Sequence, residues 1–482
     1  MGKKIQSIIS KYKSFPVTAK ATLWFIFCGT LQKGMAFITT PIFTRLLTTE
    51  QYGQYTAYNS WLSIFTMITT FNLTYAVFNK GLSKYSEDKD GYTSAMMTTT
   101  SIITIACLGL YLVFHNQIDG LTELSTTVTV LMFVELLFYP SVSFWMLRQR
   151  YDFKYTSVVV VTLLMSLINA VAGIIAVVVS EDKGVARIMS CILVNIIFGA
   201  IIYIKIYKKG KKFFVWEYSK FAVIFNIPLI PHYLSTYILD QSDRIMIQKM
   251  CGMQFVGIYG VAYSLGMVMK IITSSVNQSL TPWEYRKLKE GDFNSINKQF
   301  VSIMPFVGIL LIVFMAVAPE AMKILASEKY YEAVYIVPSV TSAVFFMLAY
   351  GIFSNVEFYF DANKFTMVVS ALGAITNVIL NFVFIRLYGY IMAGYTTMVC
   401  YIIFTAAHFI YAQHVAKQAT GKYVFEGKSI FVLSVIMGIS SIIMTILYHY
   451  TVIRYGVFIG LICVSIVSKD KIKKSVVAIL KK

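Results

Sequence analysis

Histidine, cysteine and acidic residues are scarce in this chain, and each scarcity closes off a class of function. The five histidines (His115, His232, His408, His414 and His449) are scattered, with no H-E-x-x-H pair to hold a catalytic metal. The six cysteines (Cys28, Cys107, Cys191, Cys251, Cys400 and Cys463) fall almost wholly inside apolar runs, and follow neither a metal-ligand spacing nor a disulfide framework. A phosphate-binding loop is also missing. Its nearest approach, residues 421–429, has five residues between Gly421 and Gly427 rather than four, and no strand precedes it. The chain reads as no enzyme, and its energy source would be an ion gradient or the substrate gradient itself. Charge is low throughout, at 13% of residues, and no polar stretch is long enough to form a soluble domain.

What the chain has instead is apolar length. Mean hydropathy is +0.68 and 57% of residues are hydrophobic. A bilayer-spanning helix needs about 20 mostly apolar residues. Fourteen segments are read as spans: 19–40, 57–78, 93–114, 125–147, 156–179, 187–204, 221–239, 255–280, 300–318, 334–358, 366–385, 391–412, 429–449 and the marginal 455–468. The fold class is therefore all-α and polytopic. Lys and Arg test the count, because cytoplasmic loops are enriched in them. With the N-terminus inside, 31 of the 42 fall on the cytoplasmic side, nine on the other side, and Lys33 and Lys270 within spans. Both termini are expected in the cytoplasm, and the first span is expected to be a retained anchor. The net charge of +19 is then topology and attraction to anionic lipid heads, not nucleic-acid binding. Residues 468–482 have the pattern of a short basic surface helix.

A pattern repeats across the chain. After the first span come Arg45, Gly53-Gln-Tyr55 and Ala57-Tyr58; after the seventh come Arg244, Gly257-Ile-Tyr259 and Ala262-Tyr263. The two occurrences lie six spans apart, an even number. Two six-helix halves in the same orientation, with substrate between them, are the plan of many alternating-access transporters.

The run from Leu31 to Gly53, containing Gln32-Lys33-Gly34, Pro41 and Thr44-Arg45, resembles the N-terminal signature of bacterial polysaccharide repeat-unit flippases of the Wzx type. Pro228, Asp243-Arg244-Ile-Met-Ile and Gly257-Ile-Tyr259 resemble the same family. The resemblance implies a fold shared with multidrug extruders: bundles over 1–212 and 213–412, and two further helices with a basic tail over 413–482. It also implies a substrate, an undecaprenyl-pyrophosphate-linked oligosaccharide turned from the cytoplasmic to the outer leaflet of a bacterial inner membrane. The pathway would be O-antigen, capsule or exopolysaccharide synthesis, with a polymerase and a chain-length regulator as partners beside membrane lipids.

Such a path needs cations for phosphate and polar groups for sugar, and charge within spans is costly enough to mark it. The substrate-facing candidates are Gln32, Lys33, Arg45, Asn72, Asn79, Arg244, Lys270 and Asn277. Asn72 and Asn79 are expected on one face of the second span, Lys270 and Asn277 on one face of the eighth, and Asn377 and Asn381 on one face of the eleventh. Glu135, Asp240, Asp243 and Glu357 are the candidates for a coupling ion, H+ or Na+; no other cofactor is expected. Asp240 is spaced to pair with Arg244, and Pro228 and Pro231 to kink the seventh span. A structural pairing of Lys33 or Lys270 with Glu135 or Asp240 is the competing reading. At the level of function the alternatives are a multidrug or lipid II exporter of the same fold and, from another class, a polysaccharide polymerase. The short outer loops oppose the last.

Overall fold

The computed structural model describes residues 17–467. The basic tail 468–482 and the side chains of Gln32 and Lys33 lie outside the described residues. Among those described, the regular structure is helical, as it must be where no water is available to satisfy an open backbone. The chain divides into two compact units. One comprises residues up to Leu47 with Tyr58–Leu234, the other Thr48–Ala57 with the residues from Ser235 onward.

The first unit contains α1 (Val17–Leu46), most of α2 (Thr49–Thr70), α3 (Ala76–Lys84), α4 (Lys89–Val113), α5 (His115–Thr122), α6 (Thr126–Phe138), α7 (Pro140–Tyr151), α8 (Tyr155–Val179), α9 (Lys183–Gly210) and α10 (Trp216–Asn226). Its core gathers Phe78, Tyr92, Met96, Phe144, Trp145 and Tyr218 from four helices. The second unit contains α11 (Ile230–Cys251, whose first turn lies in the first unit), α12 (Met253–Met267), α13 (Met269–Glu290), α14 (Phe293–Ala316), α15 (Ala318–Leu325), α16 (Val337–Tyr359), α17 (Asn363–Tyr388), α18 (Met392–Thr420), α19 (Gly427–Leu447) and α20 (Thr451–Val467). Helix α16 is its centre, packed against α12, α13, α14, α18 and α19, and it carries Phe345, Phe346 and Phe353 into the core.

Among the described residues, eleven helical segments are long and apolar enough to cross a membrane, against fourteen expected. The other three expected spans are helical but fall outside that set. Helix α2 is rich in Thr, Tyr and Gln, α20 has 17 residues, and several positions of α1 lie outside the described residues. Three breaks shape these segments. Pro228 and Pro231 separate α10 from α11 through a short 3-10 turn at Ile227–Leu229. Val268 divides Met253–Glu290 into α12 and α13, with main-chain bonds tightened to three-residue spacing on both sides. The third break is a correction: the expected span 57–78 is not continuous. Its helix ends at Thr70, and Phe71 and Asn72 adopt left-handed φ of 48° and 52° before α3 begins. The Asn226 amide holds that turn, donating to the Phe71 carbonyl at 2.7 Å. Asn72 is consequently buried in a turn while Asn79 is exposed on α3, so the two do not share a helix face.

Candidate functional site

The eighth expected span runs further than its sequence indicates. It was expected to end at residue 280, before Pro282 and Glu284, but α13 continues through Pro282 to Glu290. Proline is tolerated there because neighbouring turns and hydroxyls re-satisfy the freed backbone. Lys270, Asn277 and Glu284 thus stand at seven-residue intervals along one stripe of a single helix.

Lys270 and Asn277 line a cavity of about 210 Å³ in the second unit. Asp240 and Thr236 enter it from α11, Thr273 and Ser274 from α13, Tyr350 from α16 and Tyr401 from α18. Lys270 lies in the first turn after the break at Val268 and forms no ion pair with a described residue. Gly351 lets α13 come close, since a Cβ there would stand 3.0 Å from the Asn277 amide nitrogen. Below the cavity the Asn355 amide nitrogen reaches Asn277 Oδ1 at 3.4 Å, Thr281 Oγ1 at 3.1 Å and Glu284 Oε2 at 3.0 Å. Glu284 is 2% exposed, and its Oε1 has no hydrogen-bond partner among the described residues. The interval that joins Lys270 to Asn277 extends to Glu284, and that was the signal available in the sequence; the span boundary at 280 hid it.

A second polar cluster surrounds Asp243, which is 1% exposed. Tyr259 and Thr397 donate hydroxyls to its Oδ2 at 2.6 and 2.8 Å, and Asn381 donates its amide to Oδ1 at 2.6 Å. Asn377 Oδ1 accepts from Ser242 at 2.7 Å and from Asn381 at 3.1 Å, and Thr396 donates to Asn381. This is one carboxylate among neutral oxygens. Among the described residues no three His, Cys, Asp or Glu side chains come together as a metal cluster. The arrangement suits a single positive charge, a proton on Asp243 or a monovalent cation held by the Asp243, Asn377 and Asn381 oxygens, since more highly charged ions recruit several carboxylates.

The remaining candidates are distributed more widely. Glu357 is buried against His408 at 2.9 Å and accepts from Thr366 at 2.9 Å. The His408 ring lies 5.4 Å from that of Tyr350, which lines the Lys270 cavity. Histidine 408 carried no sequence signal beyond its type. Glu135, in the first unit, accepts from Tyr58 and, at 2.7 Å, from Asn195. Arg45 is exposed at the end of α1 and donates to the Pro41 carbonyl. Arg244 departs from the expected pairing with the Asp240 carboxylate. It bonds the Asp240 main-chain carbonyl at 2.8 Å and stacks its guanidinium 4.4 Å above Tyr263, which leaves the carboxylate to the cavity.

Known structures share this fold. The inward-closed lipid II flippase MurJ superposes with a TM-score of 0.66 over 94% of this chain and 100% of its own, at 15% identity. An inward-facing multidrug resistance MATE family transporter of the MOP superfamily reaches 0.61 over 82% of this chain and 96% of its own, at 10% identity. Among curated proteins, the Lsg locus putative protein 1 of Haemophilus influenzae is 24% identical over 361 residues, 71% of this chain and 85% of the relative. A second Haemophilus influenzae protein, an uncharacterized membrane protein, is 23% identical over 269 residues, 54% of this chain and 63% of the relative. Residues 18–288, more than half of the chain and reaching from α1 to the last turn of α13, match the polysaccharide biosynthesis protein family, and the chain belongs to it.

Proposed function

We propose that the protein is a flippase that moves undecaprenyl-pyrophosphate-linked oligosaccharide repeat units from the cytoplasmic to the outer leaflet of a bacterial inner membrane by alternating access. The observation that carries this reading is the cavity beside the broken α12–α13 segment, where a lysine without an ion-pair partner stands among hydroxyl and amide groups. A cation so placed is costly unless it faces water or an anion. Lys270 would take the pyrophosphate, and Thr273, Ser274 and Asn277 the sugar hydroxyls. Membership of a polysaccharide biosynthesis family supports a saccharide cargo. Asp243 would bind the coupling ion, H+ or Na+. Loading would neutralise the one buried carboxylate of its cluster and so bias the packing of α11 against α17 and α18. The termini would lie in the cytoplasm, and a polymerase with a chain-length regulator would receive the flipped unit.

The test is transport by the purified protein in liposomes, with lipid-linked oligosaccharide in one leaflet and a membrane-impermeant glycosidase or lectin on the far side. The expected result is exposure of intact repeat units, faster under an imposed ion gradient. Movement of lipid II but of no longer saccharide would transfer the protein to the lipid II exporters. Chain elongation without added enzyme would make it a polymerase.

A further inference from the structure

The first unit carries a second charged pocket, remote in sequence from the cavity and not needed for it. It has a volume of about 180 Å³ and lies where the ends of α7 and α9 meet the starts of α4 and α8. Asp90, Arg148, Lys205 and Lys209 line it beside Trp145, Gln149 and Ser157. Three cations therefore face one carboxylate, and both oxygens of that carboxylate are engaged. Arg148 Nε is 3.3 Å from Asp90 Oδ1, and Lys209 Nζ is 2.9 Å from Oδ2. The Arg148 side chain is only 11% exposed, and its other contact, Asp152, is shared with Lys154. Lys205 has no ion pair among the described residues; its ammonium lies 5.5 Å above the Trp145 ring. The Gln149 amide and Ser157 hydroxyl likewise make no side-chain hydrogen bond among the described residues. The pocket thus offers an ammonium, an amide and a hydroxyl that all lack an acceptor.

Its position along the helices narrows the ligand. Four residues before Lys205 stands Ile201, and three after Ser157 stands Val160; both are large, exposed and apolar, as is Ile204 beside Lys205. On spanning helices such residues face lipid. The pocket therefore begins where that lipid-facing surface ends, at the depth of phospholipid head groups, on the end rich in Lys and Arg.

We propose that this pocket binds the phosphate of an anionic phospholipid head group, phosphatidylglycerol being the simplest, with Lys205 as its principal ligand and Ser157 and Gln149 as hydrogen-bond donors. A free phosphate ion offers the same chemistry, but the apolar approach along Val160 and Ile201 fits a diester whose acyl chains remain in the bilayer. Arg148 and Lys209, held by Asp90, keep the pocket positive without occupying it.

The experiment is lipid binding to the full chain in nanodiscs, read by native mass spectrometry, with phosphatidylglycerol titrated into phosphatidylcholine. Phosphatidylglycerol should be retained selectively, Lys205→Ala should weaken it about fivefold, and Lys205→Arg should keep most of it. Ser157→Ala with Gln149→Ala should weaken it while leaving the ion pairs intact. Lys208→Ala, exposed on the same turn of α9 but outside the pocket, should have no effect. An equal loss with Lys208→Ala would mean diffuse surface attraction and overturn the proposal. So would displacement of the lipid by millimolar inorganic phosphate, which would mark a small-anion site.

Discussion

Gly53 and Gly257, the two glycines of the repeated Gly-x-Tyr pattern, pack backbone to backbone. A Cβ on Gly257 would stand 2.9 Å from the Gly53 nitrogen and overlap the Thr49 carbonyl oxygen; a Cβ on Gly53 would stand 3.2 Å from the Gly257 nitrogen and overlap the Met253 carbonyl oxygen. Thr49 precedes Gly53 by four residues and Met253 precedes Gly257 by four, so the contact is reciprocal about a local two-fold relation. Close approach through small residues is how membrane helices gain packing without a hydrophobic driving force between them.

Gly53→Ala and Gly257→Ala should each therefore destabilise the protein by about 1–3 kcal/mol, because the obstructing atoms are backbone and cannot rotate away. Thermal unfolding in detergent, followed by size-exclusion fluorescence, measures it. A Tm within error of wild type for both variants would show that the helices can separate freely.

Lys270→Ala should abolish transport while leaving the yield of folded protein unchanged, since no described carboxylate depends on this lysine as an ion-pair partner. Lys270→Arg should retain part of the activity, because the charge survives although the guanidinium differs in shape and reach. If Lys270→Ala instead lowers folded yield and Asp240→Asn restores it, the lysine is half of a structural pair.

Asp243→Asn should fold and lose the response to an ion gradient. Its amide can still accept from Asn381 or Tyr259, but it cannot take up a proton or neutralise a cation. Transport in liposomes with imposed pH or sodium gradients is the measurement. An undiminished gradient response would remove Asp243 from the coupling role and leave the Glu357–His408 pair as the next site to vary.

Acid should loosen the first turn of α20. Arg454 grips both Glu320 carboxylate oxygens, at 2.6 and 2.7 Å, and holds that carboxyl at about 2 against partial burial, with the Tyr455 hydroxyl adding to the effect. A carboxyl depressed from 4.5 contributes stability that is fully present above that pH and is lost as pH falls towards 2. The Tm difference between wild type and Arg454→Leu should be greatest above pH 4.5 and should shrink towards pH 2. A constant difference across that window would mean that packing, and not the ion pair, holds α20. At the opposite end of the charge distribution, Asp88 behaves similarly. Burial opposes its ionisation, but Lys212 at 2.6 Å, the Tyr218 hydroxyl and the Gly91 N–H hold its carboxyl below the ordinary value.

In a chain cleared of its six cysteines, single cysteines at Lys183 or Lys329 should react with an impermeant maleimide on intact cells, and ones at Lys209 or Arg286 should not. Labelling of Lys209 from outside would invert the proposed topology, and with it the leaflet of the head-group pocket.

The sequence by itself determined the class of molecule. Apolar length is a one-dimensional property, and among the described residues eleven helical segments are long and apolar enough to cross a membrane. The Gly-x-Tyr repeat and the prolines at the junction of α10 and α11 were also local signals, because a glycine at a close approach and a proline in a helix act where they stand. Tertiary structure decided the rest. It ended α2 at Thr70 and put Asn72 and Asn79 in different environments, because the left-handed turn there is held from a distance by Asn226. Arg244 turned to a carbonyl and an aromatic face in preference to the acid one turn away. The stripe Lys270, Asn277, Glu284 runs past Pro282 on one helix, and Asn355, 71 residues on from Glu284, gives the buried acid a hydrogen bond. Burial and partners of a polar side chain depend on contacts between residues far apart in the chain, and no window along one sequence contains them.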